Sequence, residues 1–88
     1  MRTEFNESFV KDLRGIRNTK VLDRIRQAIE AVETVDRLEE LAHIKKLQGG
    51  GNYYRLRVGD YRMGLIVRDD LVVFVRVLNR KEIYRYFP

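Results

Sequence analysis

The stretch from residue 53 to residue 78 constrains this chain most. Three runs rich in β-branched and aromatic residues, YYRLRV (53–58), YRMGLIV (61–67) and LVVFVRVL (71–78), are separated only by Gly59-Asp60 and by a turn through Asp69-Asp70. Connections that short leave no room for a crossover, so the runs read as an antiparallel meander. With Gly59 and Asp60 as a two-residue turn, Val58 faces Tyr61, Arg57 faces Arg62, Leu56 faces Met63 and Arg55 faces Gly64. Side chains alternate along a strand. Tyr54, Leu56 and Val58 therefore form a core face, while Tyr53, Arg55 and Arg57 share the other.

That register sets cation against cation. Like charges directly opposed on a sheet cost up to about 1 kcal/mol, less where solvent screens them. Two readings account for the pairing. Either the guanidiniums splay into water or against Asp60, or they form a site for an anion, with the bare Gly64 leaving room for something bulky. Guanidinium forks hold phosphate oxygens in pairs and keep their charge at physiological pH, and tyrosines such as Tyr53 offer rings on which bases stack.

The first half of the chain is helical in pattern. RTEFN (2–6) alternates like a short strand, and Asn6 or Ser8 is placed to cap a helix with Phe9, Val10, Leu13 and Ile16 on one face. A longer helix starts after Asn18 or Thr19, where Val21, Leu22, Ile25, Ala28, Ile29 and Val32 recur at three- and four-residue spacing. Leu38, Leu41 and Ile44 extend that spacing into a third short helix capped by Thr34 or Asp36. His43 is expected near its end, away from the arginines, and Lys45 and Lys46 at its C-terminus. QGGGN (48–52) is a loop and lacks the lysine and hydroxyl residue of a phosphate-binding Walker loop. RKEIYRYFP closes the chain as a helical turn or lies across the sheet edge.

Charge follows the same division. Residues 1–44 hold eight Lys and Arg against nine Asp and Glu, whereas residues 45–88 hold ten against four, so the net +5 sits in the second half. Such asymmetry is the footprint of a polyanion or an acidic protein partner, or a device for solubility. The absence of cysteine removes disulfides and thiolate chemistry, and a lone histidine cannot build a multi-histidine metal site or a two-histidine nuclease. No apolar run is long enough to span a bilayer or to make a secretory signal, and a soluble cytoplasmic protein is expected.

Residues 45–85 resemble the second half of RelE/ParE-superfamily toxins, the toxic halves of bacterial toxin–antitoxin pairs. The superfamily's L-x-G, Y-R-x-R-x-G-x-Y-R and H-R-[KR]-x-[VI]-Y motifs read here as LQG (47–49), YRLRVGDYR (54–62) and NRKEIY (79–84). The leading strand and FVKDL (9–13) fit too, so the resemblance covers nearly the whole chain. It implies one RelE-like, microbial-ribonuclease-like domain over residues 1–88. That domain is α+β, an N-terminal strand and helical hairpin packed on a mainly antiparallel sheet of about four strands.

The resemblance further implies a ribosome-dependent mRNA endonuclease that acts on codons in the A site with neither metal nor cofactor. The 2′-hydroxyl attacks the neighbouring phosphorus and leaves a 2′,3′-cyclic phosphate. By position, Arg55, Arg57 and Arg62 match residues that bind and stabilise the scissile phosphate, Arg80 matches the arginine of the closing motif, and Tyr84 matches a base-orienting tyrosine. Lys46, Tyr53 and Lys81 are candidate RNA contacts, and Glu82 is a candidate proton acceptor. Asn79 stands where many relatives have histidine, and Gln48 where some ribosome-dependent members have a basic residue. The resemblance also implies a cognate antitoxin with an acidic segment, and contact with operator DNA only through the complex with it. A gyrase-poisoning toxin of the ParE kind and an antitoxin-binding co-repressor without nuclease activity are the alternatives.

Overall fold

The hairpin register read from the sequence is the one the chain adopts. The computed structural model describes residues 1–88. Strands β1 (Arg2–Phe5), β2 (Ile44–Lys46), β3 (Tyr53–Val58), β4 (Tyr61–Arg68) and β5 (Leu71–Asn79) form one sheet in the order β1-β5-β4-β3-β2. Across the Gly59-Asp60 turn, Val58 pairs with Tyr61, Arg57 with Arg62, Leu56 with Met63 and Arg55 with Gly64. Gly59 has φ +60, a left-handed value that glycine adopts without strain. β1 lies parallel to β5, and every other pairing is antiparallel.

Two helices lie between β1 and β2, α1 (Glu7–Arg14) and α2 (Thr19–Thr34). Asn18 starts α2, its carboxamide oxygen accepting from the N–H groups of Lys20 and Val21. Asn6 precedes α1 without a side-chain cap. Ser8 is employed elsewhere, donating to the Val75 carbonyl at 2.6 Å. Ile16 is buried, as its spacing from Phe9 suggested, but lies beyond the end of α1. The core joins Phe9, Ile25, Val32 and Leu38 to Leu56, Met63, Leu65, Phe74 and Val77 of the sheet.

The third helix expected after Thr34 does not form. Leu38–Glu40 make one 3-10 turn, and Ile44–Lys46 become β2, paired with Leu56, Arg55 and Tyr54. The sheet therefore has five strands where about four were expected. The three-residue spacing of Leu38, Leu41 and Ile44 imitates a helix, but pairing along β3 satisfies the backbone of 44–46 and buries Leu38 by another route. Between the two segments His43 takes φ +65.

β1 covers β5 only as far as Phe74. Beyond it α1 serves the strand edge: Asp12 accepts from the Val77 N–H at 3.0 Å and from Arg76 Nε at 2.8 Å. A sheet edge with free backbone groups invites pairing by another chain, and here side chains occupy it. The opposite face of the sheet receives α3 (Ile83–Tyr86), in which Ile83 is buried.

Candidate functional site

The sheet face away from α2 is divided in two. Over β4 and β5 it is covered by α3 and by Phe87, whose ring sits on Gly64. A Cβ at Gly64 would lie 2.5 Å from Phe87 Cγ. The space that the glycine was expected to leave for a ligand is thus filled from within the chain. A bare backbone lets an aromatic ring descend onto the sheet, and Phe87 is only 4% exposed as a result. Tyr53 meets the same ring edge-on, with centroids 5.8 Å apart.

Over β2 and β3 the face stays open, and the cations collect there. Arg55, Arg57, Arg62, Lys45, His43 and Tyr84 line a hollow of about 300 Å³. None of the three guanidiniums is paired with a carboxylate. Arg55 stacks 4.6 Å from the Tyr84 ring centroid. Arg62 Nη1 donates to the carbonyls of Gly59 and Tyr61 at 2.8 and 2.9 Å. Arg57 Nη2 lies 2.7 Å from His43 Nδ1. The ion pairs of the molecule are elsewhere, on Arg2, Lys11, Arg26, Arg37 and Arg76. Three arginines without a carboxylate partner thus face one open depression, the arrangement that favours an oxyanion. Tyr84 is 66% exposed and leaves much of its ring free.

A larger cleft of about 670 Å³ adjoins the hollow, between α2 and the β3–β4 turn, and Arg57, Arg62 and His43 line both. Arg80 is in this second cleft, with Arg24 and Asp60. Its backbone N–H donates to the Asp60 carbonyl at 2.8 Å. Lys81 and Glu82 lie farther round, in a separate depression with Asp60, Asn79 and Arg80. The Asn79 carboxamide oxygen accepts from the Lys81 N–H at 3.0 Å, so this residue closes the turn into α3.

Two expectations about position change. Lys46 pairs with Tyr54 and reaches over that ring on the helix-covered side of the sheet, 6.0 Å from its centroid. Lys45 is the lysine opposite Arg55 on the open face. Alternation along a strand reverses the two once 44–46 is extended rather than helical. His43, expected outside the arginine group, sits within it, because the 3-10 turn ends early and delivers residue 43 beside β3. Its carbonyl also accepts from the Arg57 N–H at 3.1 Å. Neither residue is reachable from periodicity alone. Reading IKK as a strand would have found Lys45.

The comparisons with known proteins agree with this architecture. A family model described as the ParE toxin of type II toxin–antitoxin systems, parDE, matches residues 3–84. Toxin RelE3 of Methanocaldococcus jannaschii is 45% identical over 89 aligned positions that span 100% of both chains. One chain of the crystal structure of the RelB-RelE antitoxin–toxin complex from Methanococcus jannaschii superposes with a TM-score of 0.79. It is 44% identical, and the match covers 96% of this chain and 98% of that one. For the archaeal RelE-RelB complex from Pyrococcus horikoshii the TM-score is 0.72 at 25% identity, covering 90% of this chain and 93% of that one. Motif, topology and full-length similarity converge: the chain belongs to the RelE/ParE superfamily of toxins from type II toxin–antitoxin systems.

Proposed function

We propose that this toxin is an endoribonuclease that cuts mRNA in the ribosomal A site by attack of the 2′-hydroxyl on the adjacent phosphorus. The observation that carries the reading is the convergence of Arg55, Arg57 and Arg62 on one open hollow without a carboxylate to neutralise them. A phosphorane in formation gathers negative charge on its equatorial oxygens, and fixed guanidiniums stabilise that charge more than the ground state. Arg62, braced by two carbonyls, is set to hold the phosphate, and Arg55 and Arg57 to complete its grip. Tyr84 supplies a ring against which a base stacks. Arg80, Lys45 and Lys81 extend the basic track along which the backbone lies. Alignment on the ribosome contributes the geometry that an open hollow by itself does not impose.

An antitoxin of the RelB kind is the partner in this reading. The complexes formed by the relatives from M. jannaschii and P. horikoshii support it, as does the basic character of the open face. Operator DNA is contacted through that complex.

The test is induction of the protein in a bacterium, with mRNA 5′ ends mapped beside an assay for gyrase-linked DNA breaks. Codon-phased cuts in translated messages are expected, and Arg62→Ala is expected to reduce them at least about 10²-fold, as loss of one oxyanion-stabilising donor does. DNA breaks with intact messages would replace this reading with gyrase poisoning, the alternative set out from the sequence. Normal growth with neither effect would leave antitoxin binding and co-repression as the function.

A further inference from the structure

The hollow holds the cations for a phosphoryl transition state, but the reaction also needs somewhere for the 2′-hydroxyl proton to go. Glu82, the carboxylate suggested by sequence, lies in a depression on the far side of Arg80 and does not line the hollow. His43 does, and its geometry carries chemical information. Arginine donates hydrogen bonds and accepts none, so the 2.7 Å contact with Arg57 Nη2 requires that His43 Nδ1 bear a lone pair. Nδ1 is therefore the accepting atom of that contact, aimed into the arginine cluster. The residue holds a left-handed backbone, φ +65, which is uncommon outside glycine. The Arg57 N–H pinned to its carbonyl helps to keep it there.

Resting on the nuclease reading above, we infer that His43 is the general base of this toxin, unmasked when Arg57 leaves its Nδ1 for the scissile phosphate. The 2′ oxygen is on the ribose whose O3′ bonds that phosphorus, so a base that shares Arg57 with the phosphate stands beside the nucleophile. Nδ1 takes the 2′-hydroxyl proton as the O2′–P bond forms. The P–O5′ bond then breaks, and the 5′ oxygen takes a proton from water. The imidazolium returns its own proton to solvent, so the exchange balances without oxidant or metal. Of the side-chain types lining the hollow, imidazole is the one that ordinarily exchanges protons near neutral pH. The groups facing it are Arg57 and Arg55 from β3, Arg62 from β4, Lys45 from β2 and Tyr84 from α3, with Arg24, Asp60 and Arg80 across the adjoining cleft.

The experiment is single-turnover cleavage of ribosome-bound mRNA by purified full-length toxin, comparing His43→Gln, His43→Asn and Arg62→Ala with the natural chain. Glutamine keeps an oxygen that accepts from Arg57, and asparagine tolerates the left-handed backbone, so neither change removes Arg57's support wholesale. Both are expected to cleave about 10²- to 10⁴-fold more slowly, while binding programmed ribosomes with unchanged affinity. The rise of rate with pH on the acid side of the natural profile is expected to vanish in both. Cleavage by His43→Gln within about threefold of the natural rate would reduce His43 to a prop for Arg57 and overturn the inference. So would a folded His43→Asn protein that keeps the acid limb. A natural chain that cuts nothing, or an Arg62→Ala variant that cuts normally, would overturn the nuclease reading and this inference with it.

Discussion

Replacing Gly64 by alanine is expected to be costly for a reason that lies 23 positions away in the sequence. The new Cβ would sit 2.5 to 2.7 Å from three ring atoms of Phe87. Those atoms form the inner edge of a rigid ring rather than a flexible tip, so either the strand or the ring has to move. Gly64 is in an extended strand without a positive φ, so alanine itself is acceptable there and even favoured by about 0.5 kcal/mol. The penalty is then bounded by the docking of the ring, about 1.5–3 kcal/mol for a buried phenylalanine. At this size of domain each kcal/mol lowers Tm by about 4–8 °C. The chain has no tryptophan, and urea or thermal unfolding followed by circular dichroism reads the effect directly. The decisive measurement is the double-mutant cycle with Phe87→Ala. Once the ring is gone, Gly64→Ala is expected to be neutral or slightly stabilising, which gives a coupling of about 2 kcal/mol. If Gly64→Ala costs the same with and without Phe87, the close approach is not what the glycine is for.

Three further outcomes are expected. Asp12→Ala removes the acceptor of Arg76 and of the Val77 N–H; with side chains only 10% and 24% exposed, the loss is about 2–3 kcal/mol in chemical denaturation. Asp12→Asn, which keeps one acceptor, is expected to lose less. Burial, followed by its bond to Glu39, holds the Tyr54 phenol above its ordinary value. Its contribution to stability is therefore complete below the phenol range of an unfolded chain and is lost as pH rises through the folded value. Absorbance titration is expected to show one tyrosine ionising late, and Tyr54→Phe to remove it. Lys45→Ala is expected to weaken toxin binding to programmed ribosomes several-fold and to flatten its salt dependence, and Lys46→Ala to do neither, as filter binding at two salt concentrations will read.

The parts of this molecule that the sequence disclosed are those in which local chemistry decides. Gly59-Asp60 fixes one hairpin, and its register carries Arg57 against Arg62 without help from the rest of the fold. Asn18 and the spacing from Val21 to Val32 do the same for α2. Where a neighbour distant in sequence decides, the pattern misled. Ile44–Lys46 is too short to show alternation, and only β3 makes it a strand. That one change moves Lys45 to the open face, Lys46 to the covered one and His43 into the arginine cluster. The room above Gly64 was read correctly as room, but its occupant comes from the chain's own end, which no local pattern announces.

The first strand finds its only partner in the last. Arg2 lies beside Leu71 and Phe5 beside Phe74, so β1 has nowhere to bind until the whole meander has been made. Contacts so distant along the chain form slowly, whereas the β3–β4 hairpin closes on itself as soon as it emerges. The arginine-bearing hairpin thus rests on local contacts, and the strand that completes its sheet on contacts from the far end of the chain. The rings of Phe5, Phe9 and Phe74 pack together only where that long-range pairing is made. A lesion in β1 is therefore expected to loosen the aromatic cluster behind the sheet while leaving the β3–β4 register, and the arginines it aligns, in place.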